Sequence, residues 1–386
     1  MPTKVKCINP TCSNIMVKRY AGRGRKEPTG LCRDCWALDG VSASSTLPIA
    51  DQVTADRAKT VERQTESGLK LKYQHALKTI DTLEAQIGAL DYLKAHVEPV
   101  TIAEHFGSGT SEACPLLVAS DWHVEEVVGN ELQGNLNRFN PDIAEARAKT
   151  FFQAGLRLVK LLNQDVSIRQ VVLALLGDFI TNQIHGAENA EKNAMLPTHA
   201  LVFAQNLLIG GIEFLLNHSD YELVIPCHSG NHARTTLKTR FATENGHSLE
   251  YLMYLHLAAY FRNEPRVKFL IADGYHSYLP IYDQTVRFHH GHGLRYLGGI
   301  GGLTIPANKA IDQWNKGVWS DLDVFGHYHT LFDGRNFLSN GSLCGYNAFA
   351  LSIKAPYQPP MQWLTLFDKK RGRTASWPIM FPEGGK

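Results

Sequence analysis

Three observations predict an α/β fold in which helices cover the sheets. From Cys114 onward, apolar runs of strand length recur, and each ends in a polar cluster. Longer apolar stretches of helix length lie between them. The short runs are continuously apolar rather than alternating, which is the pattern of strands buried on both faces and therefore flanked by helices.

The elements in chain order begin with residues 1–36, which are short, basic and paired in cysteine. Lys4, Lys6, Lys18, Arg19, Arg23, Arg25, Lys26 and Arg33 face only Glu27 and Asp34. Cys7 and Cys12 form one close pair, Cys32 and Cys35 a second. Four thiolates suit tetrahedral zinc, and so small a segment cannot fold on core burial alone. One structural zinc is therefore expected at Cys7, Cys12, Cys32 and Cys35, in a module resembling zinc ribbons and treble-clef fingers. Its charge favours a phosphate partner, and Tyr20 and Trp36 are positioned to stack on bases or pack on the metal knob. Residues 37–56 (ALDGVSASSTLPIADQVTAD) read as a linker. Residues 57–97 read as a helical connector, with Tyr73, Leu77, Ile80, Leu83, Ile87 and Leu90 on one stripe at intervals of three and four. Such a stripe must be covered, either by the rest of the chain or by a second copy in a coiled coil.

The remaining region, 112–386, carries the alternating elements. PLLVAS runs into Asp121-Trp122-His123, VVLALL into Gly177-Asp178, and ELVIPCHS into Gly230-Asn231-His232. TVRFH runs into His290-Gly291-His292, and LDVF into Gly326-His327-Tyr328-His329. Asn140-Pro141-Asp142 has helix-start chemistry ahead of the stripe Ala144, Ala148, Phe151, Leu158. ALVFAQNLLIGGIEFLLNH and HSLEYLMYLHLAAYF are the next helices. NFLSNGSL and MQWLTLFD read as strands finishing a second sheet.

The clusters at the strand ends supply, in order, D-x-H, G-D, G-N-H, H-G-H and G-H-x-H. Two divalent metals about 3.5–4 Å apart can clamp the attacking and leaving oxygens of a phosphoryl displacement. Such a site needs a bridging carboxylate, several neutral imidazoles and further oxygen ligands, held where rigid strand ends converge. On these five motifs residues 115–345 resemble the calcineurin-like metallophosphoesterase superfamily. The resemblance implies a four-layer αββα metallophosphoesterase sandwich with metals at one edge. It implies Asp121, His123 and His329 on the first metal, Asp178 as the bridge, and Asn231, His290 and His327 on the second. At H-G-H the family's ligand is usually the first histidine, so His290 is preferred to His292, although spacing leaves both open. His232 is implied as the general acid to the leaving oxygen, with a hydroxide held between the metals as nucleophile. The other histidines of the 17 are expected to be surface or packing residues, His289 pointing to the opposite face from His290.

GDFITNQ and GNHAR depart from the serine/threonine protein phosphatase pattern, lacking its arginine and acid. They depart from SbcD-type DNA repair nucleases in having Ala233 after G-N-H. Arg234 is a candidate for holding a substrate phosphate, with a structural arginine as the alternative. The arrangement also resembles bacteriophage-encoded metallophosphoesterases described as DNA repair exonucleases. The leading expectation is a metal-dependent DNA nuclease. The alternatives are a phosphodiesterase or phosphatase for a small nucleotide, or a binding protein with a secondary metal site. Manganese is expected at the active site, with iron or zinc as alternatives. DNA is the expected partner, and a homodimer through residues 57–97 is one of the two readings of that stripe. A net charge of +2 selects no partner. No bilayer-spanning run and no secretory leader are read, so a cytoplasmic location is expected, in the host cytoplasm if the chain is phage-encoded.

Overall fold

The computed structural model describes residues 111–129, 136–184, 191–295 and 302–382, with strand residues 4–6 and 15–17 and helical residues 49–63 and 66–96. The chain divides into two compact units, Met1–Ala103 and Glu104–Lys386.

In the first unit, β1 (Lys4–Lys6) pairs antiparallel with β2 (Ile15–Val17). Cys7, Cys12, Cys32 and Cys35, expected to hold zinc, lie outside the described residues. Two helices follow, α1 (Ile49–Arg63) and α2 (Glu66–His96). The linker expected over 37–56 is thus helical from Ile49. Neither Gly nor Pro occurs between Pro48 and Gly68, and Asp51 sits in the first turn, where the exposed amides of a helix start favour a carboxylate. Along α2 the stripe Tyr73, Leu77, Ile80, Leu83 and Ile87 is exposed.

The second unit is a four-layer sandwich. Its larger sheet has the order β13-β12-β3-β4-β5-β6. There β3 (Ala113–Ala119), β4 (Gln170–Leu175), β5 (Glu222–Cys227) and β6 (Val267–Ile271) run parallel. β12 (Met361–Asp368) joins β3 antiparallel, and β13 (Gly372–Met380) joins β12 antiparallel. The smaller sheet has the order β10-β11-β9-β8-β7. Here β8 (Gln284–Phe288), β9 (Leu322–Phe325) and β11 (Phe337–Ser339) are parallel, flanked by antiparallel β7 (Ser277–Ile281) and β10 (Phe332–Asp333).

The strands are apolar on both faces because each face meets a different core. In β3, Leu117 and Ala119 face the helices, whereas Leu116 and Val118 face the second sheet. In β4, Val171, Leu173 and Leu175 face the helices and Val172 and Ala174 the second sheet. The outer layer is α3 (Pro141–Leu162), α4 (Pro197–Asn217) and α5 (Leu249–Tyr260). The other outer layer is α6 (Thr304–Trp314), whose Ala307 and Ile311 pack with Phe325 and Phe337. α3 starts where its sequence predicts: the Asn140 side chain accepts from the Ile143 amide at 2.9 Å, and Ala144, Ala148 and Phe151 are buried.

Two expectations are corrected. MQWLTLFD does not finish the second sheet. As β12 it pairs with β3 in the first, with Leu364 and Leu366 in the helix-side core and Trp363 and Phe367 between the sheets. And α4, 21 residues long, is by length and composition apolar enough to cross a membrane. In this fold its Ala204, Leu208, Gly211, Ile212 and Leu215 are buried; a core helix satisfies the same criterion.

Candidate metal centre

The parallel strands β3, β4, β5, β8 and β9 all deliver their predicted ligands just past their carboxyl ends, where α/β sheets characteristically bind ligands. The turns there are tight. Asp121 (φ 55°), His123 (46°), Asp178 (54°), His327 (70°) and His329 (52°) all adopt the left-handed region. Few non-glycine residues tolerate that conformation, and its clustering in one place marks a site whose surroundings over-determine the backbone. The motif glycines explain how the loops approach one another. A Cβ on Gly230 would lie 2.1 Å from Asp178 Oδ1, and one on Gly326 would lie 2.2 Å from Asp121 Oδ2.

These loops bring the predicted ligands together. Asp121, His123 and His329 present ligand atoms within 4.8 Å of one another, and so do Asp178, His290 and His327. A third such group joins His123, Asp178 and His232, so Asp178 lies between two clusters. His123 Nε2 and His329 Nε2 face each other at 3.2 Å, and His329 Nε2 is 3.7 Å from Asp121 Oδ1. His290 Nε2 is 2.8 Å from Asp178 Oδ2 and 3.1 Å from Asn231 Oδ1. The outer nitrogens are engaged elsewhere. His290 Nδ1 donates to the Leu176 carbonyl at 2.7 Å, and His123 Nδ1 pairs with Thr181 Oγ1 at 3.1 Å. That arrangement leaves both Nε2 atoms for the centre, as metal-binding imidazoles are ordinarily held.

Burial, then repulsion from neighbouring imidazoles, keeps His123 and His327 well below the ordinary histidine range, so their lone pairs are available. Burial likewise pushes His329 down to about 3. Burial opposes a charge on His290 too, but Asp178 and Asp121 outweigh it and raise that group to about 10. Burial raises Asp121 to about 7. Asp178 stays well below the usual carboxylate range despite burial, because His290 and His232 face it. Two carboxylates, four imidazoles and one amide oxygen converging in a buried space form a donor set that fits two divalent cations sharing Asp178.

Two supporting residues, Glu250 and Glu125, escaped the sequence reading. Glu250, on the first turn of α5, is fully buried. Its Oε1 accepts from the Phe179 amide at 2.6 Å and its Oε2 from the Gly230 amide at 2.7 Å, so one carboxylate ties together the loops bearing Asp178 and Asn231. Glu125 Oε1 accepts from the Thr181 and Asn182 amides, both at 2.8 Å. Asn182 Nδ2 in turn donates to the His232 carbonyl at 2.9 Å. The only local signal was an acid two residues after D-x-H, at Glu125; Glu250 reads from sequence as an ordinary helix-start acid.

The remaining predicted residues sort clearly. His292 is outside the cluster, with Nε2 3.7 Å from Glu244 Oε1 and its ring stacked on Phe241, whereas His290 lies within it. His289 turns the other way, with Nε2 3.5 Å from Asp323 Oδ1. Arg234 makes the contacts expected of the structural alternative. Its guanidinium donates to the carbonyls of Asn231, Thr236 and Leu237, so its donors are engaged within its own loop. His232 does reach the centre: its ring lies 4.8 Å from that of His123, and Nε2 is 3.9 Å from Asp178 Oδ2. A cavity of about 330 Å³ opens over the cluster. His123, Asp178, Asn231, His232, His327 and His329 line it, together with Glu126, Lys192 and Asn193, and Asn347, Phe349 and Ser352 of the α7 region (α7, Ala348–Ser352).

No family model matches the chain, and no curated protein does. Solved structures do align with it. A novel archaeal phosphodiesterase is 12% identical, covering 68% of this chain and 99% of its own, with a TM-score of 0.28. Vacuolar protein sorting 29 from Cryptosporidium parvum is 16% identical over 71% and 99%, with a TM-score of 0.26. A hypothetical protein from Pyrococcus horikoshii is 11% identical over 70% and 89%, with a TM-score of 0.35. At such scores these likenesses carry no functional weight, and the chemistry of the site has to.

Proposed function

We propose that the chain is a two-metal phosphoesterase of the calcineurin-like type. The observation that supports this most directly is Asp178, which belongs to two converging ligand clusters and can bridge a pair of divalent ions. Asp121, His123 and His329 would hold one ion, and Asn231, His290 and His327 the other. When bound, such ions supply Lewis-acid activation of a phosphoryl group and of its attacking water. The protein's own share is geometry and a proton. The Thr181 carbonyl accepts from His232 Nδ1 at 2.8 Å, so Nε2 is the atom turned toward the pocket and the one from which a proton passes to the leaving oxygen.

For the substrate we favour a small phosphodiester, of nucleotide size. The cavity is at the small end of the range for small-molecule sites, and among its described lining Lys192 is the one permanently basic side chain. A groove that tracks a nucleic-acid backbone carries many. Cleavage of DNA is the second reading, supported by the eight basic residues of the first 36, which would supply the polymer affinity. We also infer a structural zinc at Cys7, Cys12, Cys32 and Cys35 from their paired spacing, and manganese as the catalytic metal from the mixed nitrogen and oxygen donors.

The test is hydrolysis of bis(p-nitrophenyl) phosphate by the manganese-loaded protein, expected to stop on chelation. Asp178→Ala should lose both ions by metal analysis and all activity. Full metal content and activity in that variant would overturn the bridging role. A parallel panel of cyclic and linear dinucleotides against single-stranded, duplex and nicked DNA separates the two substrate readings.

A further inference from the structure

The pocket has a wall that plays no part in the metal centre. α7 follows Asn347, whose Nδ2 donates to both carboxylate oxygens of Glu126 at 3.0 Å and whose Oδ1 accepts from the Ala350 amide at 3.1 Å. That anchoring fixes the next turn of chain at the pocket mouth. There Phe349 lies with its ring 5.2 Å from the ring of His329 and 6.1 Å from that of His327, while 36% of the residue stays exposed. An aromatic ring that lines the cavity beside two of these imidazoles and stays partly exposed is available for stacking rather than spent in the core.

Its position relative to His232 gives it a role. His232 meets the cluster through His123 and Asp178. Phe349 meets it through His329 and His327. A phosphodiester centred on the cluster has two ester substituents. The departing one must lie within reach of His232 Nε2, where its oxygen takes up a proton. The retained one can then extend along His329 and His327, where Phe349 lies.

We propose that Phe349 is the platform on which the retained nucleoside of a phosphodiester substrate stacks, making it the residue that selects nucleoside esters over simple alkyl esters. The inference rests on the phosphoesterase reading and deepens it. Base-on-aromatic stacking tolerates any base, so the selection is for a nucleoside and not for one base.

The experiment uses the full-length, manganese-loaded protein and two diesters with the same leaving group, thymidine 5′-(p-nitrophenyl phosphate) and methyl p-nitrophenyl phosphate. The wild-type kcat/KM should favour the thymidine ester. In Phe349→Ala the ratio of kcat/KM for the thymidine ester over the methyl ester should fall about tenfold, the size expected when one stacking ring is removed. Phe349→Tyr, which keeps the ring, should retain the ratio. Because the ratio compares two substrates of one protein sample, partial unfolding cancels. A ratio unchanged in Phe349→Ala, or lost equally in Phe349→Tyr, would overturn the platform while leaving the phosphoesterase reading intact. If the wild type hydrolyses neither ester, that reading fails and the platform with it.

Discussion

At His232 the question is what the ring does once Nδ1 is committed to the Thr181 carbonyl. Its Nε2 is turned toward the pocket, 3.9 Å from Asp178 Oδ2, and its backbone amide donates to Asp178 Oδ1 at 2.8 Å. The residue is thus fixed at both ends against the carboxylate that links the two clusters, without being needed to complete either metal triad. His232→Ala should keep the bound metal and lose rate. For diesters with alkoxide leaving groups the loss should be about 10²–10⁴-fold, the usual contribution of a positioned acid. It should shrink for p-nitrophenolate, which departs without a proton. Equal losses on good and poor leaving groups would place His232 elsewhere in the reaction.

At the scale of elements, α5 holds two loops through one side chain. Glu250 is far from Asp178 in chain order, yet its carboxylate closes the gap between the β4 and β5 loops. Glu250→Gln is nearly isosteric, but its NH₂ group meets an amide N–H where an acceptor is required. One buried donor is left unmatched, which typically costs about 1–3 kcal/mol. Metal affinity should weaken by about 10–100-fold, as for other residues that support ligands from behind, measured by titration of the metal-depleted protein. A variant that loses melting temperature but binds metal as the wild type does would reduce Glu250 to a structural role.

At the scale of the whole molecule, the proposed roles fall to different units. Every proposed catalytic ligand lies in Glu104–Lys386, so removing residues 1–103 should preserve hydrolysis of a small chromogenic diester. If the amino-terminal module binds DNA, the truncation should lower DNA affinity and flatten its salt dependence, by about 0.9 in the log–log slope for each phosphate that the module no longer neutralises. The exposed stripe on α2, from Tyr73 to Ile87, calls for a covering surface, and we propose a second copy of this chain. The full-length protein should then scatter as a dimer and the truncated one as a monomer. Unchanged DNA binding after truncation would reject the nucleic-acid role of the module, and a monomeric full-length protein would reject the dimer.

The residues that converge at the candidate centre were legible in the sequence because each is a local event. A run such as VVLALL ending in Gly177-Asp178 records both a strand buried on two faces and the turn at its carboxyl end. The α/β class and the main helices of the larger outer layer were legible for the same reason, since periodicity and caps are short-range. What the sequence left open depends on partners far away in the chain. His290 was separated from His292 by the Leu176 carbonyl and Asp178, and β12 was assigned to the first sheet by pairing with the distant β3. The contacts of Arg234 depend on how its own loop closes, while Glu250 and Phe349 reach the site only where α5 and α7 come to rest. Local patterning fixes which side chains a strand end can offer. Which of them converge, and what stands opposite, is set by strand order and packing, and those are contacts that no short window of sequence contains.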